Sequence, residues 1–337
     1  MSALGPQMGG DIRVQLDIAD SKVAAAHVVS TRTPQAARLF VGRSAADVLQ
    51  GIGGVYSLCG RAQSVAAVRA VEAALGVTVA PEVEAGRDSL RLAEMITQTA
   101  MRLALYWPRA LGLVPEPELV RLSLAVEQAV ERDVLGGAAW KVPGSGVAAS
   151  SAAMHQQIDR LTEAADTYVR SCALRDEVLR RGLAGFGLLP EGMAPEEGPF
   201  KRNWDDQGVA EVRASHGPGL LARLEASLTD LFLLQGRLPG LISAVDPVAA
   251  QRVEIGTGRG EAVVETARGP LRHVVTVKDG IVADYVIDAP TEVNFRPGGP
   301  VEVGLIGAGA DGIEFSARLH VLAIDPCVEF EIEVRHA

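Results

Sequence analysis

Cysteine is scarce in this sequence: Cys59, Cys172 and Cys327 are the full set, and they lie far apart. An odd number of scattered thiols excludes a disulfide framework and fits a reducing compartment. Aromatic residues make up only 4% of the chain, so packing falls to Ala, Val, Leu and Gly. No apolar run reaches the roughly 18 residues that a membrane span requires, so no membrane contact is expected. The opening MSALGPQMGGDIRV has no basic run followed by an apolar one. Neither a secretory signal nor a twin-arginine leader is therefore expected, and the expected location is the cytoplasm. Basic residues form no stripe and the formal charge is −10, which excludes nucleic acid as a partner. An acidic surface favours solubility and by itself names no ligand. His27, His155, His216, His273, His320 and His336 form no H-x-x-x-H pair, so adjacent zinc ligands are absent. There is no Walker loop and no nucleophile elbow, and the glycines of GTGRGEA precede a strand-like run instead of opening a helix.

What the chain does have is 337 residues, 48% of them apolar, enough for a large core. Ile12, Val14, Leu16 and Ile18 alternate with polar neighbours, a strand signal, and Asp20-Ser21-Lys22 turns the chain into a second strand. Ser44 is placed to cap a short helix over AADVLQGI, which Gly51, Gly53 and Gly54 are expected to break before Cys59. From Ser64 to Leu75 small residues lie on every face, which predicts a helix buried among others. Three further helices are expected: RDSLRLAEMITQTAMRLALYW, stopped at Pro108; PEPELVRLSLAVEQAVERDVLGG; and about Ser151 to Arg181, with Cys172 on its apolar seam. A loop over PEGMAPEEGPFKRNWDDQG separates these from a last helix, GLLARLEASLTDLFLLQGRL. Beyond Gly256 the period changes to two. Asp279-Gly280 marks a hairpin, and EVGLIGAG and RLHVLAIDPCVEFEIEV continue the strand-rich close. Strands, then helices, then strands again predict an α+β fold with its ends brought together.

The thiols are the candidate chemistry. Cys59 opens a helix, where the N-terminus favours a thiolate that serves as ligand or nucleophile. A small buried residue at a tight turn is the competing reading. Cys327 follows Asp325-Pro326 in a rigid turn, which suits a ligand held in place, although a stray C-terminal cysteine reads the same locally. Cys172 reads as core.

The stretch LCGRAQSVAAVRAVEAALG resembles the N-terminal metal motif of the nickel–iron hydrogenase large subunit, C-x-x-C-x-x-x-H-x-x-A-x-x-x-A-x-E. Cys59 takes the second cysteine, and Ala66, Ala70 and Glu72 the alanines and glutamate. Tyr56 stands for the first cysteine and Gln63 for the histidine. A rival register puts Cys59 on the first cysteine. Ile324-Asp325-Pro326-Cys327 resembles the C-terminal D-P-C-x-x-C-x-x-H, with Phe330 for the second cysteine and Glu333 for the histidine. Glu265-Thr266-Ala267-Arg268-Gly269 resembles E-A-P-R-G, and Ala289-Pro290-Thr291, with Asn294 beyond, resembles the later A-P-T segment. Four motifs in family order identify the chain as an assembly protein of the HupK/HoxV kind, related to that large subunit.

The resemblance implies the large-subunit fold over residues 1–337 as one domain. Strands and the Cys59 motif occupy 1–80, a helical bundle 81–250, and strands with the Cys327 motif 251–337. It implies two metal-type thiols, Cys59 and Cys327, where the catalytic family has four. Nickel is therefore not expected, the magnesium site is in doubt, no cleavable tail is expected and hydrogen turnover is not expected. It also implies that Arg268, Thr291 and Pro290 stand where the family contacts iron-bound cyanide. The implied cargo is an Fe(CN)2CO unit, held transiently and passed from maturation proteins of the Hyp set to the large-subunit precursor. Alternatives stay open: a metal-free chaperone or decoy for those partners, an enzyme with a nickel-free site, or a subunit of a redox complex of the same ancestry.

Overall fold

A computed structural model describes residues 10–31, 36–56, 58–147, 154–171 and 173–336. The expected seam residue Cys172 lies outside the described residues. Strands β1 (Ile12–Ala19) and β2 (Lys22–Ser30) form an antiparallel hairpin, turned by Asp20 and Ser21, both at positive φ. Helices α1 (Ala45–Val55), α2 (Gly60–Leu75), α3 (Pro81–Met101), α4 (Trp107–Leu111) and α5 (Pro117–Ala129) follow. Then come α6 (His155–Ser171), α7 (Ala173–Arg180), α8 (Pro199–Arg202), α9 (Gln207–His216) and the long α10 (Leu220–Ser243). Strands β3 (Gly258–Thr266), β4 (Gly269–Lys278) and β5 (Ile281–Asp288) make an antiparallel meander. The chain closes with α11 (Pro290–Asn294), α12 (Pro300–Leu305), α13 (Ile313–Ile324) and β6 (Phe330–His336).

β6 returns to pair in parallel with β1, so the two ends of the chain share one sheet of order β2-β1-β6. The juxtaposition follows from burial. Ile12, Val14, Leu16 and Ile18 point to one face, which is covered by Val301, Leu305, Ile313, Ala317, Val321 and Ile324 of α12 and α13. A larger core joins α1, α2, α3, α10 and the second sheet through residues such as Val48, Leu90, Leu231 and Val275.

Several expectations need correction. EVGL and RLHVLAI are helical, not strands, and IGAG follows as a turn: α13 is buried on two sides, by the first sheet and by the main core, so its apolar run shows no clean period. The glycines of α1 do not break it. Ser44 caps the helix as expected, accepting from Asp47 N–H, but the helix runs through Gly51, Gly53 and Gly54 to Val55. Gly53 serves the crossing with α2: a Cβ there would lie 2.6 Å from Ser64 Oγ and 2.8 Å from Gly60 O. The helix after residue 80 begins at Pro81, and Pro108 does not stop the chain's helical course. A wide turn at 102–106, in which Trp107 N–H reaches Arg102 O, places Pro108 at the start of α4, where no donor is needed. The loop after Pro190 holds α8, and α10 extends to Ser243 through Pro239.

The glycines of GTGRGEA have a packing role. A Cβ at Gly258 would sit 2.0 Å from Ala74 O, and one at Gly260 2.1 Å from Ala70 O. β3 therefore lies directly on the α2 backbone, and the small residues of α2 supply the matching surface. The same helix is anchored by Glu72, whose carboxylate takes Arg87 Nη1 at 2.7 Å and Nη2 at 2.9 Å and also Gly144 N–H at 2.9 Å. The motif glutamate is thus a buried tie among α2, α3 and the segment before residue 145.

Candidate functional site

The close packing of β3 and β4 on α2 brings the C-terminal motifs to the head of that helix. Cys59 is the N-cap residue of α2, its N–H bonded to Tyr56 O at 3.0 Å. Cys327 sits in the bend between α13 and β6. It is set there by Asp325, a non-glycine residue at φ 64°, and by the fixed ring of Pro326. Arg268 occupies the tight turn joining β3 to β4, where Thr266 Oγ1 donates to Gly269 O at 2.7 Å and accepts from Arg268 N–H at 3.2 Å. Gly269, at φ 121°, leaves no space for a side chain against Glu197 and Pro290. Pro290 is buried on this turn and opens α11, which places Thr291.

These elements converge. Thr291 Oγ1 donates to Cys327 Sγ at 3.1 Å and accepts from Cys327 N–H at 3.4 Å. Cys59 and Cys327 lie within charge range of each other, and the Arg268 guanidinium is within range of both. Arg268 is buried and held by Asp325, through the backbone carbonyl at 3.2 Å and the carboxylate at 3.1 Å, and by Gln98 Oε1. Gln98 in turn donates to Leu58 O, beside Cys59. Arg102 pairs with the same Asp325 carboxylate at 2.8 Å. Cys59, Cys327, Arg268, Thr291 and Pro290 are therefore all brought to one place. An adjoining cleft of about 490 Å3, lined in part by Leu58, Tyr106, Arg268, Asp325 and Phe330, leads to the surface.

The expectation that the helix N-terminus would favour a thiolate at Cys59 is not met. Burial pushes the thiol up to about 12, and the charges of Cys327 and Glu94 add to it, against the opposing pull of Arg268 and Gln63. The reason is positional. The free amides at the head of α2, Arg61 N–H at 2.8 Å and Ala62 N–H at 2.9 Å, are already taken by the Glu94 carboxylate of α3. Burial raises Glu94 itself to about 8, while those two amides draw it down.

Sequence reasoning missed Glu94, Gln98 and the Gln63 partner His273. Glu94 and Gln98 are four residues apart on α3, so their shared inward face was the available signal. His273 gave none, because its partners lie on other elements. Phe330 and Glu333, at the motif's second cysteine and histidine, both stand on β6. Glu333 bonds Gln15 at 3.0 Å and Arg335 at 3.0 Å, away from the thiols. Among the described residues, no three His, Cys, Asp or Glu side chains gather as a metal site. Nor is any helix there long and apolar enough to cross a membrane.

No established protein-family pattern matches the chain. It is 32% identical to the hydrogenase expression/formation protein HupK of Rhizobium leguminosarum bv. viciae, with 97% of each chain covered. It is 29% identical to HupK of Azotobacter vinelandii, over 98% of this chain and all of that one. It is 30% identical to the hydrogenase expression/formation protein HoxV of Cupriavidus necator, over 91% and 92%. Among solved structures it is similar to the nickel–iron–selenium hydrogenase of D. vulgaris Hildenborough, with a TM-score of 0.73, 16% identity and 92% and 94% coverage. The enzyme from Desulfomicrobium baculatum gives 0.73 at 15% identity, over 93% and 95%. Likeness at that identity establishes the fold alone. The near full-length relatives establish more: the chain belongs to the HupK/HoxV family of hydrogenase expression/formation proteins, built on the fold of the nickel–iron hydrogenase large subunit.

Proposed function

We propose that this chain is a non-catalytic scaffold of hydrogenase maturation that holds an Fe(CN)2CO unit transiently and passes it on. Cys59 and Cys327 are the iron ligands, and Arg268 and Thr291 orient the cyanides by hydrogen bonding to their nitrogens. What supports this reading is that two thiols from opposite ends of the chain lie within charge range of each other and of one guanidinium, with a hydroxyl bonded to Cys327. Thiolates are the soft ligands such an iron centre takes, and a charge-assisted donor suits a cyanide nitrogen. Two thiolates instead of four suit a carrier, which must also let go. The sequence has three cysteines in all, too few for the four-sulfur setting of nickel. The unit comes from iron-delivering proteins of the Hyp set and goes to the large-subunit precursor.

The test is anaerobic isolation from a maturation-competent host, followed by iron analysis and infrared spectroscopy. Bands of CO and cyanide are expected, and Cys59→Ala or Cys327→Ala is expected to remove them. A protein that copurifies with its partners yet carries neither iron nor bands overturns the carrier reading. A second reading, a metal-free chaperone or decoy, is favoured by how fully the pocket satisfies itself. The Thr291 hydroxyl already bonds Cys327, and Arg268 is engaged by Asp325 and Gln98. Cysteine variants that still support maturation decide for that reading.

A further inference from the structure

Behind Cys59 runs a buried chain of polar groups that leaves the site and enters the second sheet. Gln63, one turn along α2, directs Nε2 at Cys59 Sγ across 3.7 Å. Its Oε1 lies 2.9 Å from His273 Nε2, and His273 Nδ1 lies 2.9 Å from Tyr285 Oη. Gln63 and Tyr285 are each 2% exposed and His273 not at all. The rings are held as well as the polar atoms: His273 and Tyr285 stand edge to face at 5.6 Å, and Phe40 flanks Tyr285 at 5.8 Å. Sequence reasoning found no use for His273, and the ligand set does not include it.

The bonding rules give the chain a direction. With Gln63 Oε1 facing His273, and a carboxamide oxygen only able to accept, His273 Nε2 carries the proton between them. Burial keeps the imidazole neutral, with one N–H, so Nδ1 is bare and accepts from the Tyr285 hydroxyl. In this arrangement the carboxamide N–H points toward sulfur. We infer that His273 and Tyr285 are positioning residues that lock Gln63 as a hydrogen-bond donor to the Cys59 sulfur, presenting that sulfur as a ligand of reduced electron donation. Donors to a ligating sulfur withdraw charge from it and so tune the metal it holds. A buried polar cluster that merely satisfies itself does not require this polarity at the sulfur end. The consequence for iron rests on the carrier reading; the geometry does not.

Two measurements test it. In cargo-free protein labelled with 15N, the imidazole nitrogens of His273 are expected to show a proton on Nε2 and a bare, hydrogen-bonded Nδ1. A proton on Nδ1 overturns the inference. In iron-loaded protein, Gln63→Met keeps length and removes the donor. The CO and cyanide bands are expected to move together to lower wavenumber as the sulfur donates more strongly. Tyr285→Phe, which keeps the ring and removes only the last hydroxyl, is expected to move them the same way by less. His273→Leu is read only after circular dichroism shows native folding. Wild-type bands that Gln63→Met leaves in place overturn the inference while the carrier reading stands. Wild-type protein without bands sinks the carrier reading, and the nitrogen spectra then decide the inference alone.

Discussion

Replacing Glu72 with Ala is expected to destabilise the fold more than any surface change. Arg87 is fully buried, and Glu72 supplies both of its short carboxylate contacts, at 2.7 and 2.9 Å. What remains to Arg87 is weaker: Trp140 O at 3.3 Å, Ser145 Oγ at 3.2 Å and the half-exposed Glu84 at 3.4 Å. Breaking a buried pair by removing one partner costs roughly 3–5 kcal/mol, because a desolvated charge is left behind. Gly144 N–H loses its acceptor too, which adds on the order of 1 kcal/mol. Against a total stability of roughly 5–15 kcal/mol this is a large share. For a chain of this size it corresponds to a fall in Tm on the order of 10 °C. The double variant Glu72→Leu with Arg87→Met removes both charges and keeps apolar volume, and is expected to lie within about 2 kcal/mol of the parent. Thermal and urea unfolding of the parent, both single variants and the double form the cycle. A Glu72→Ala protein that melts within a degree or two of the parent, or a double variant as unstable as the single, refutes the reasoning.

Gly260→Ala is expected to force β3 from α2, since its Cβ would meet Ala70 O at 2.1 Å and Ala74 N at 2.3 Å; the check is loss of about 3 kcal/mol or more in urea unfolding, or insoluble protein. His320 is buried, bonded to Pro300 O at 3.2 Å, and lowered to about 3 by burial, with the Arg223 charge adding to it. The unfolded chain takes up that proton near pH 6.5 while the folded chain does not. Stability is therefore complete above pH 6.5 and falls as pH drops toward 3, by up to about 1.4 kcal/mol per unit from this group. A His320→Asn variant is expected to show a pH slope shallower by one proton over that window, and an unchanged slope counts against it. Thr291→Val removes the only side-chain donor bonded to Cys327 Sγ among the described residues, and is expected to lower iron content, with Thr291→Ser restoring it. Equal iron in all three proteins removes Thr291 from the site.

Much of the fold was legible because it rests on local rules. The alternation of Ile12 to Ile18, the Asp279-Gly280 turn and the Ser44 cap each express a backbone preference that neighbours do not override. The failures lie where both sides of an element are buried. The α13 run lost its period because it packs on two cores, and the α1 glycines were read as breakers when they serve a close helix crossing. Residue identity by itself determined which groups were available at the site: two motif thiols, one guanidinium and one hydroxyl, each beside a proline or glycine that holds its turn. Only the tertiary structure decided that these groups meet, because β6 closes onto β1 and β3 lies on α2, pairings set by burial of faces far apart in the chain. It also decided that Cys59 favours the thiol, since the site is buried and the amides that would favour a thiolate there are occupied by a carboxylate from another helix.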